Sequence, residues 1–174
     1  MTIQLIPAHE KDLVNIKTLA DKIWKAYYPA IIGMEQVEYM LHKNYSLPNL
    51  TKQMNDGQRF YLIENENGNI GFMSITETSA NHFFMNKFYL DTELTGKGLG
   101  KIAFSQLLKE IPEAAEIKLQ VNRQNILAIN FYFSVGFKIE ESADFDIGDG
   151  YFMNDFIMKS EKLKVKSEKS RSAD

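Results

Sequence analysis

The stretch TELTGKGLGKIAF at residues 92–104 decides the fold class, because it joins a strand-like apolar segment to a helix-like one. It carries glycines at alternate positions, Gly96, Gly98 and Gly100. Glycine accepts positive φ angles and lets a ligand approach the backbone closely, because it has no Cβ atom. The first N–H groups of the helix that starts near Leu99, and the positive end of its dipole, favour a phosphate. The loop is therefore a candidate phosphate site, although a plain strand-to-helix turn explains the glycines equally well.

Two familiar phosphate-binding motifs do not fit this loop. The dinucleotide-binding fingerprint needs a glycine where Lys101 stands, and it belongs early in its fold. A P-loop needs a glycine where Thr95 stands and a serine or threonine where Ile102 stands. Lys97 and Lys101 nevertheless add positive charge beside the glycines. The loop keeps a general anion-binding interpretation, and a nucleotide-phosphate binder remains a weaker alternative.

Hydrophobic periodicity on either side of the loop predicts seven strands and four helices. Strands are indicated by apolar or alternating segments at residues 2–8, 59–65, 70–78, 82–90, 116–121, 136–142 and 150–160. Helices are indicated at 10–28, after Gly33, from near Leu99 to Ile111, and at 125–135. The unit at 83–121 predicts one parallel strand pair, and an acidic loop is predicted between the last two strands. We therefore expect an α/β fold of the mixed α+β type, in which a central, mostly antiparallel mixed sheet of about seven strands is flanked by about four helices.

The composition indicates a single domain. A chain of 174 residues with a net charge of −3 and no cysteine suits one domain, which we place at residues 1–160, followed by a flexible Lys- and Ser-rich tail at 161–174. The lack of cysteine excludes thiol catalysis, cysteine zinc sites and disulfides, and it agrees with a reducing cytoplasm. The charge argues against nucleic acid as a partner. Neither a membrane span nor a signal peptide is predicted, so we expect a cytoplasmic protein.

The segment NRQNILAINFYFSVGFKIEE at residues 122–141 carries a second pattern. It reads Asn125-x-x-Ala128-x-x-Phe131-Tyr132-x-x-x-Gly136-Phe137. Together with the glycine loop, this segment resembles the GNAT superfamily of acetyl-CoA-dependent N-acetyltransferases. The loop is similar to the family's Gln/Arg-x-x-Gly-x-Gly/Ala signature, with Thr95 where a longer polar side chain is usual. The order of the predicted elements extends the resemblance over roughly residues 1–160.

Three further segments are similar to one branch of this superfamily, the PaiA-type polyamine acetyltransferases. They are IWKAYYPAIIGMEQVEYML at 23–41, FYLDTELTGKGLGK at 88–101 and GYFMNDFIMKS at 150–160. This resemblance implies a small-molecule amine as the substrate, and in particular a polyamine. An amino acid, an antibiotic or a protein lysine remains an alternative acceptor. We expect no metal, and we leave a homodimer open.

The resemblance also implies where acetyl-CoA binds as the cosubstrate. The pyrophosphate would lie on the loop formed by Thr95, Gly96, Lys97, Gly98, Leu99, Gly100 and Lys101. The pantetheine arm would run beside the preceding strand and bond its backbone at Phe88, Tyr89 and Leu90, like an added strand. The side chains of these three residues are expected in the core. Asn125 corresponds to an asparagine near the pantetheine, but capping the helix that it begins is an equally good interpretation.

Tyr132 is the predicted catalytic residue. Its position in an apolar helical stripe favours a core role, whereas the family motif implies a general acid. A phenol is neutral at pH 7 and can protonate the thiolate that leaves when an amine attacks a thioester. A backbone N–H of strand 83–90 would hold the developing oxyanion. The base stays unassigned: Glu77, His82 and Asp91 lie near strand ends, and a chain of waters would serve as well.

Acidic side chains offer negative charge to a polycationic amine. The candidate substrate-binding residues are Glu35, Glu38 and Glu77, and a second acidic group near the last predicted strands is Asp144, Asp146, Asp149 and Asp155. A solvated acidic surface is the favoured interpretation from charge alone. A non-catalytic acyl-CoA-binding sensor that shares the fold is the alternative to an enzyme. The presence of Tyr132 together with the glycine loop favours the enzyme.

Overall fold

Seven strands form one mixed sheet, as the sequence predicts. The computed structural model describes residues 1–161, and the remainder of the predicted tail lies outside the described residues. The strands are β1 Gln4–Pro7, β2 Arg59–Asn65, β3 Gly68–Ser79, β4 His82–Leu90, β5 Glu116–Asn122, β6 Lys138–Gly148 and β7 Tyr151–Glu161. Their order in the sheet is β1-β2-β3-β4-β5-β7-β6, which places β4 at the centre. Every neighbouring pair is antiparallel except β4 and β5, which form the predicted parallel pair.

Six helices flank the sheet, two more than periodicity predicts. They are α1 Leu13–Tyr27, α2 Pro29–Ile32, α3 Met34–Tyr45, α4 Leu47–Asn55, α5 Leu99–Glu110 and α6 Ile126–Ser134. The additional helices are α2, a single turn that begins at a proline, and α4. The α4 helix is only nine residues long, and Leu50 is its one buried residue. None of the helices in the described part of the chain is long and apolar enough to cross a membrane.

The sheet separates two apolar cores. On one face α5 and α6 cover a core, which we call the α5/α6 core, whose fully buried members include Ile63, Met73, Phe83, Leu107 and Ile117. On the other face α1, α3 and α4 cover the α1/α3 core, whose fully buried members include Leu13, Ile16, Val37, Leu50 and Phe72. Strands of the middle of the sheet are therefore apolar on both faces, which explains their nearly continuous hydrophobic runs.

The parallel pair β4–β5 extends over only part of β4. It begins at His82 opposite Glu116 and ends at Met85 opposite Leu119. Beyond this point β4 remains paired with β3 as far as Leu90, whereas β5 remains paired with β7. The two strands consequently diverge and leave an opening between residues 86–90 of β4 and residues 120–122 of β5. We call this opening the wedge.

A β-bulge marks the narrow end of the wedge. Ser74 of β3 lies opposite Lys87, but the next residue, Ile75, lies opposite Met85, so Asn86 is an additional residue in β4. A bulge bends its strand and increases the local twist. The bulge at Asn86 therefore provides a physical reason for β4 to turn away from β5 at this position.

The last hairpin corrects the predicted acidic loop. Strand β6 continues to Gly148, so Asp144 and Asp146 lie within a strand, and the connection to β7 is only Asp149 and Gly150. These two residues have φ angles of 50° and 77°, as a two-residue type I′ hairpin turn requires. The loop prediction was wrong because β6 is an edge strand whose exposed polar residues have the composition of a loop.

Candidate active site

The glycines of the loop serve two different structural purposes. Gly96 and Gly98 have φ angles of 78° and 77°, in the left-handed region that side chains disfavour. A Cβ atom at either position would meet no other atom within 4 Å, so their backbone is open to a ligand. Gly100 lies inside α5, where a Cβ atom would come within 3.0 Å of the Phe131 ring. The first two glycines therefore allow the turn, and the third allows α5 and α6 to pack closely.

The loop presents a series of unused backbone donors. Gly98 is the N-cap of α5, and its carbonyl accepts the first helical hydrogen bond, from the Ile102 N–H. Within residues 1–161, the N–H groups of residues 96–98 take part in no hydrogen bond, and the next three begin the helix without an intrahelical acceptor. Lys97 and Lys101 are exposed and form no ion pair with the described residues. The Thr95 hydroxyl donates to the Thr92 carbonyl at 2.9 Å. Backbone and lysine side chains thus make this loop attractive to an anion.

The part of β4 that precedes the loop leaves one backbone edge open along the wedge. Phe88 and Leu90 pack their side chains against the α5/α6 core, and Tyr89 packs against the α1/α3 core. This confirms the prediction that these side chains belong to the core. The backbone of residues 86–90 pairs with β3 on one side only, so its other edge can accept an extended ligand as an additional strand.

Tyr132 projects from α6 into the α5/α6 core and is 8% exposed. Its ring lies 5.4 Å from that of Phe131 and 5.5 Å from that of Phe137. Burial raises the pKa of Tyr132, and the nearby Tyr28 raises it further. Tyr28 belongs to the α1/α3 core, so the electrostatic interaction between Tyr28 and Tyr132 acts across the sheet, beside the wedge. The Tyr132 phenol is therefore protonated throughout the physiological pH range.

Asn125 caps α6, which confirms the capping interpretation. Its Oδ1 accepts hydrogen bonds from the Ala128 N–H at 3.2 Å and from the Tyr27 hydroxyl at 3.1 Å. Its Nδ2 donates to the Tyr28 hydroxyl at 3.2 Å. The side chain is 6% exposed and joins the start of α6 to the end of α1. Asn125 thus fixes the helix that carries Tyr132 relative to the opposite face of the sheet.

Replacing Asn125 with alanine should lower the free energy of unfolding by about 2 kcal/mol, because one helix cap and two buried tyrosine contacts are lost. Urea unfolding of both proteins measures this difference. The variant Asn125→Ser is the matched control, because it keeps an oxygen acceptor at the N-cap of α6 without burying a charge. A loss as large in Asn125→Ser as in Asn125→Ala would contradict the role of this acceptor.

A cavity of about 380 Å³ lies beside the wedge. Its lining comes from α2, α3, the end of β5 and β7, and consists of Ile31, Ile32, Gln36, Asn122, Arg123, Gln124, Phe152 and Asn154. Gln36 closes one wall by donating from Nε2 to the Phe152 carbonyl at 2.9 Å. The lining mixes amide and apolar groups with Arg123, whose guanidinium is paired with Asp144, and this mixture suits a small polar molecule whose stem is aliphatic.

Asp155 differs from every other acidic residue considered above. It lies on β7 opposite Asn122, the last residue of β5, and its side chain is 4% exposed. Among the described residues, its Oδ1 has no hydrogen-bonding partner. Burial raises the pKa of Asp155 to about 6, although the charge of Arg123 opposes this shift. The solvated-surface interpretation is therefore wrong for Asp155. Residues two apart in a strand share a face, so Met153 and Asp155 of β7 lie on the same face. The apolar Met153 was therefore the sequence feature that could have predicted the burial of Asp155.

Of the three candidate bases, Glu77 and His82 lie apart from the wedge, and Asp91 lies near it but is bound by other groups. Glu77, opposite Phe83, and His82, the first residue of β4, are at the opposite end of this strand from the glycine loop. Burial favours a higher pKa for Asp91, but hydrogen bonds from Lys22 and the Glu93 N–H, together with the Lys22 charge, hold the pKa below its usual value. Asp91 is therefore an ion-pair and capping residue in this structure.

The remaining acidic candidates are on the surface. Glu35 and Glu38 are exposed on α3, on either side of Gln36, which lines the cavity. Asp144 is exposed and forms an ion pair with Arg123. Asp146 and Asp149 are exposed near the tip of the last hairpin. The structure thus brings Tyr132, Asn125, the glycine loop and β4 together around the wedge and separates Glu77 from them.

Comparison with known proteins agrees with this arrangement. The model of the acetyltransferase (GNAT) family matches residues 19–137. The spermidine N(1)-acetyltransferase of Thermoplasma acidophilum is 28% identical over 166 residues, which cover 91% of this chain and 97% of that protein. The crystal structure of PaiA N-acetyltransferase from the same organism, in complex with coenzyme A, has a TM-score of 0.77 and 27% identity, and the match covers 93% of this chain and all of that chain.

A further relative has a different acceptor in its name. The peptidyl-lysine N-acetyltransferase YjaB of Escherichia coli is 32% identical over 77 residues, which cover 44% of this chain and 47% of that protein. The family model spans more than half of the chain and includes both the glycine loop and Tyr132. The chain is therefore an acetyltransferase and belongs to the GNAT family.

Proposed function

We propose that this protein transfers the acetyl group of acetyl-CoA to a primary amine by direct attack within a ternary complex, and that the amine is a polyamine. The observation that carries the proposal is the wedge, which has the anion-attracting glycine loop at its open end and the open backbone edge of β4 along its side. Tyr132, on α6, faces this opening from one core and Tyr28 from the other. An anionic ligand with an extended arm would fit such a groove.

The cofactor site follows from these elements. The N–H groups of residues 96–101, with Lys97 and Lys101, would hold the pyrophosphate of coenzyme A. The backbone of Phe88, Tyr89 and Leu90 would bond the pantetheine arm. Acetyl-CoA supplies a thioester whose carbonyl carbon is open to attack by an amine. Asn125 contributes by fixing the position of α6, and its hydrogen bonds to Tyr27 and Tyr28 leave it little capacity for a further ligand.

Two groups of the protein would assist the reaction. A backbone N–H of β4 would donate to the carbonyl oxygen as negative charge develops there. Tyr132 would donate its proton to the departing sulfur, which its raised pKa allows because the phenol remains protonated. No cysteine is present in the sequence, so an acyl-cysteine intermediate is excluded. This supports direct attack of the amine on acetyl-CoA.

A polyamine is supported by two observations. The relative named spermidine N(1)-acetyltransferase covers nearly the whole chain, whereas the relative named peptidyl-lysine N-acetyltransferase covers less than half of it. The exposed Glu35 and Glu38 flank the cavity wall at Gln36, where they would attract the distant ammonium groups of a polycation. We also propose that the reaction takes place in the cytoplasm, an assignment that the cysteine-free composition supports.

A thiol-release assay tests the proposed function. The intact protein is incubated with acetyl-CoA and, separately, with spermidine, spermine, free amino acids, an aminoglycoside and a lysine peptide. We expect release of coenzyme A thiol to be fastest with spermidine or spermine. Binding of acetyl-CoA without thiol release for any amine would instead support the non-catalytic sensor. Release with the lysine peptide alone would replace the polyamine by a protein acceptor.

A further inference from the structure

Direct attack by an amine requires a base, because a primary aliphatic amine carries a proton at neutral pH. Its pKa is near that of lysine, about 10.4, so only a small fraction is unprotonated at pH 7. A side chain that serves as this base would be a carboxylate or imidazole that lies close to the acceptor and is unoccupied by other partners, whereas a chain of waters is the alternative. Of the three candidates considered from the sequence, Glu77 and His82 lie at the wrong end of β4, and Asp91 is paired with Lys22.

The position of Asp155 meets this requirement. It lies opposite Asn122, and residues directly opposite in a sheet share a face, so both side chains point toward the α1 side at the end of β5. Asn122 and Asn154, the register partner and the chain neighbour of Asp155, both line the cavity beside the wedge. Asp155 is thus adjacent to two residues that line the cavity that would admit the amine, and it lies beside the end of β5 that borders the wedge.

The surroundings of Asp155 leave its carboxylate without a partner. The side chain is 4% exposed, and Oδ1 is buried without a hydrogen bond to any residue in the described range. Leaving a buried carboxylate unpaired is costly, because burial favours its neutral form. Arg123, whose charge acts on Asp155, already pairs with Asp144 on β6. Such a site favours a carboxylate that can accept and release a proton.

Asp155 and Tyr132 both interact electrostatically with Tyr28. The charge of Asp155 contributes to the raised pKa of Tyr28, which burial brings to about 12, and Tyr28 in turn raises the pKa of Tyr132. Tyr28 belongs to the α1/α3 core and Tyr132 to the α5/α6 core. The carboxylate and the phenol therefore approach the wedge from opposite faces of the sheet, which is the arrangement needed for a base and an acid that act on opposite sides of one reacting carbon.

We propose that the Asp155 carboxylate is the catalytic base that takes a proton from the acceptor ammonium before attack. This inference rests on the proposed function. The amine nitrogen then forms the C–N bond to the thioester carbon and loses its second proton. The C–S bond breaks, the sulfur leaves with the proton of Tyr132, and the second proton lost by the nitrogen restores the Tyr132 phenol. The products are the N-acetyl amine, coenzyme A thiol and one proton, which Asp155 releases to solvent.

The pH dependence follows from the groups around this carboxylate. The titratable groups that influence it are Arg123, which lies beyond the end of β5, and Tyr28 from α1, while Asp144 of β6 is paired with Arg123. Burial raises the pKa of Tyr28 to about 12, so this phenol stays neutral between pH 5 and 8. Asp155 must be ionised to accept a proton, so kcat/KM for the amine should fall as the pH decreases through about 6.

The variant Asp155→Asn tests the base. At pH 7 we expect kcat/KM for spermidine to fall about 100-fold or more, with unchanged affinity for coenzyme A by calorimetry. The decrease of kcat/KM below about pH 6 should disappear in this variant. Its activity should approach that of the wild type as the pH rises toward about 10, where much of the amine is already unprotonated. The thermal midpoint should not fall, because an unpaired buried carboxylate is replaced by a neutral isostere. The matched control is Asp56→Asn. Asp56 is exposed and follows the last residue of α4, so this variant should retain wild-type rates.

The outcomes separate the two proposals. A wild-type protein that releases no thiol with any amine overturns the proposed function and this inference together. Wild-type turnover with an unchanged rate in Asp155→Asn overturns only the role of Asp155. A loss of activity that is equal at every pH, or that accompanies lost coenzyme A binding, identifies a structural role and also overturns it. If the variant does not fold, the pH profile of the wild type tests the proposal instead. A wild-type kcat/KM that shows no decrease on acidification down to pH 5 contradicts the proposal.

Discussion

Replacing Tyr132 with phenylalanine should lower kcat by about 100-fold or more, because the departing sulfur loses its proton donor. The affinity for acetyl-CoA should change little, since the aromatic ring that packs among Phe131 and Phe137 is retained. A loss in kcat with little change in cofactor affinity is the expected signature of a group that acts mainly in the transition state. Steady-state thiol release, combined with calorimetric titration of coenzyme A, measures both quantities.

Tyr61→Phe is the matched control for this variant. Tyr61 is 4% exposed, belongs to the same α5/α6 core and loses the same hydroxyl group, but it lies on β2, two strands from the wedge. Its kcat should remain close to that of the wild type. Equal turnover in Tyr132→Phe and the wild type would show that another proton donor serves the sulfur.

Replacing Gly98 with valine should weaken coenzyme A binding by about 10- to 100-fold. A β-branched residue at a φ angle of 77° is strained by about 1–2 kcal/mol, which should lower the stability of the protein rather than its affinity for the cofactor. The new side chain would also point into space that is open in this structure, where the proposed pyrophosphate would approach. Calorimetric titration with coenzyme A measures the effect.

The control for Gly98→Val is Gly57→Val. Gly57 also has a positive φ angle, of 100°, and a Cβ atom there would meet no other atom within 4 Å. It lies between α4 and β2, away from the loop, so it reproduces the backbone strain without affecting the proposed site. Both variants should lose similar stability, and only Gly98→Val should lose affinity. Equal affinity in the two variants would contradict the proposed binding mode.

Local sequence patterns predicted most of the elements because each pattern depends on neighbouring residues. The segment 59–65 coincides with β2, and the capping role of Asn125 was readable from its place before an apolar helix. The same reasoning missed α4, which buries only Leu50, and interpreted the exposed edge strand β6 as partly a loop. The α4 segment is only nine residues long, and the aspartates in and after β6 have the composition of a turn.

The active-site features that sequence did not predict depend on contacts between distant segments. The wedge results from the different registers in which β4, β5 and their outer neighbours pair, and no single strand contains that information. The burial of Asp155 likewise depends on its pairing with Asn122 and on α1 covering that face. Motif resemblance located the loop and Tyr132, whereas the proposed base required the assembled sheet.

The contact between Gly100 and Phe131 has a consequence for how substitutions would act. The Phe131 ring touches α5 at Gly100 and lies 5.5 Å from the ring of Phe88 on β4 and 5.4 Å from that of Tyr132. One side chain thus spans the anion-attracting loop, the strand edge and the phenol. A methyl group added at residue 100 would displace the Phe131 ring. The strength of cofactor binding and the orientation of the Tyr132 hydroxyl would then change together.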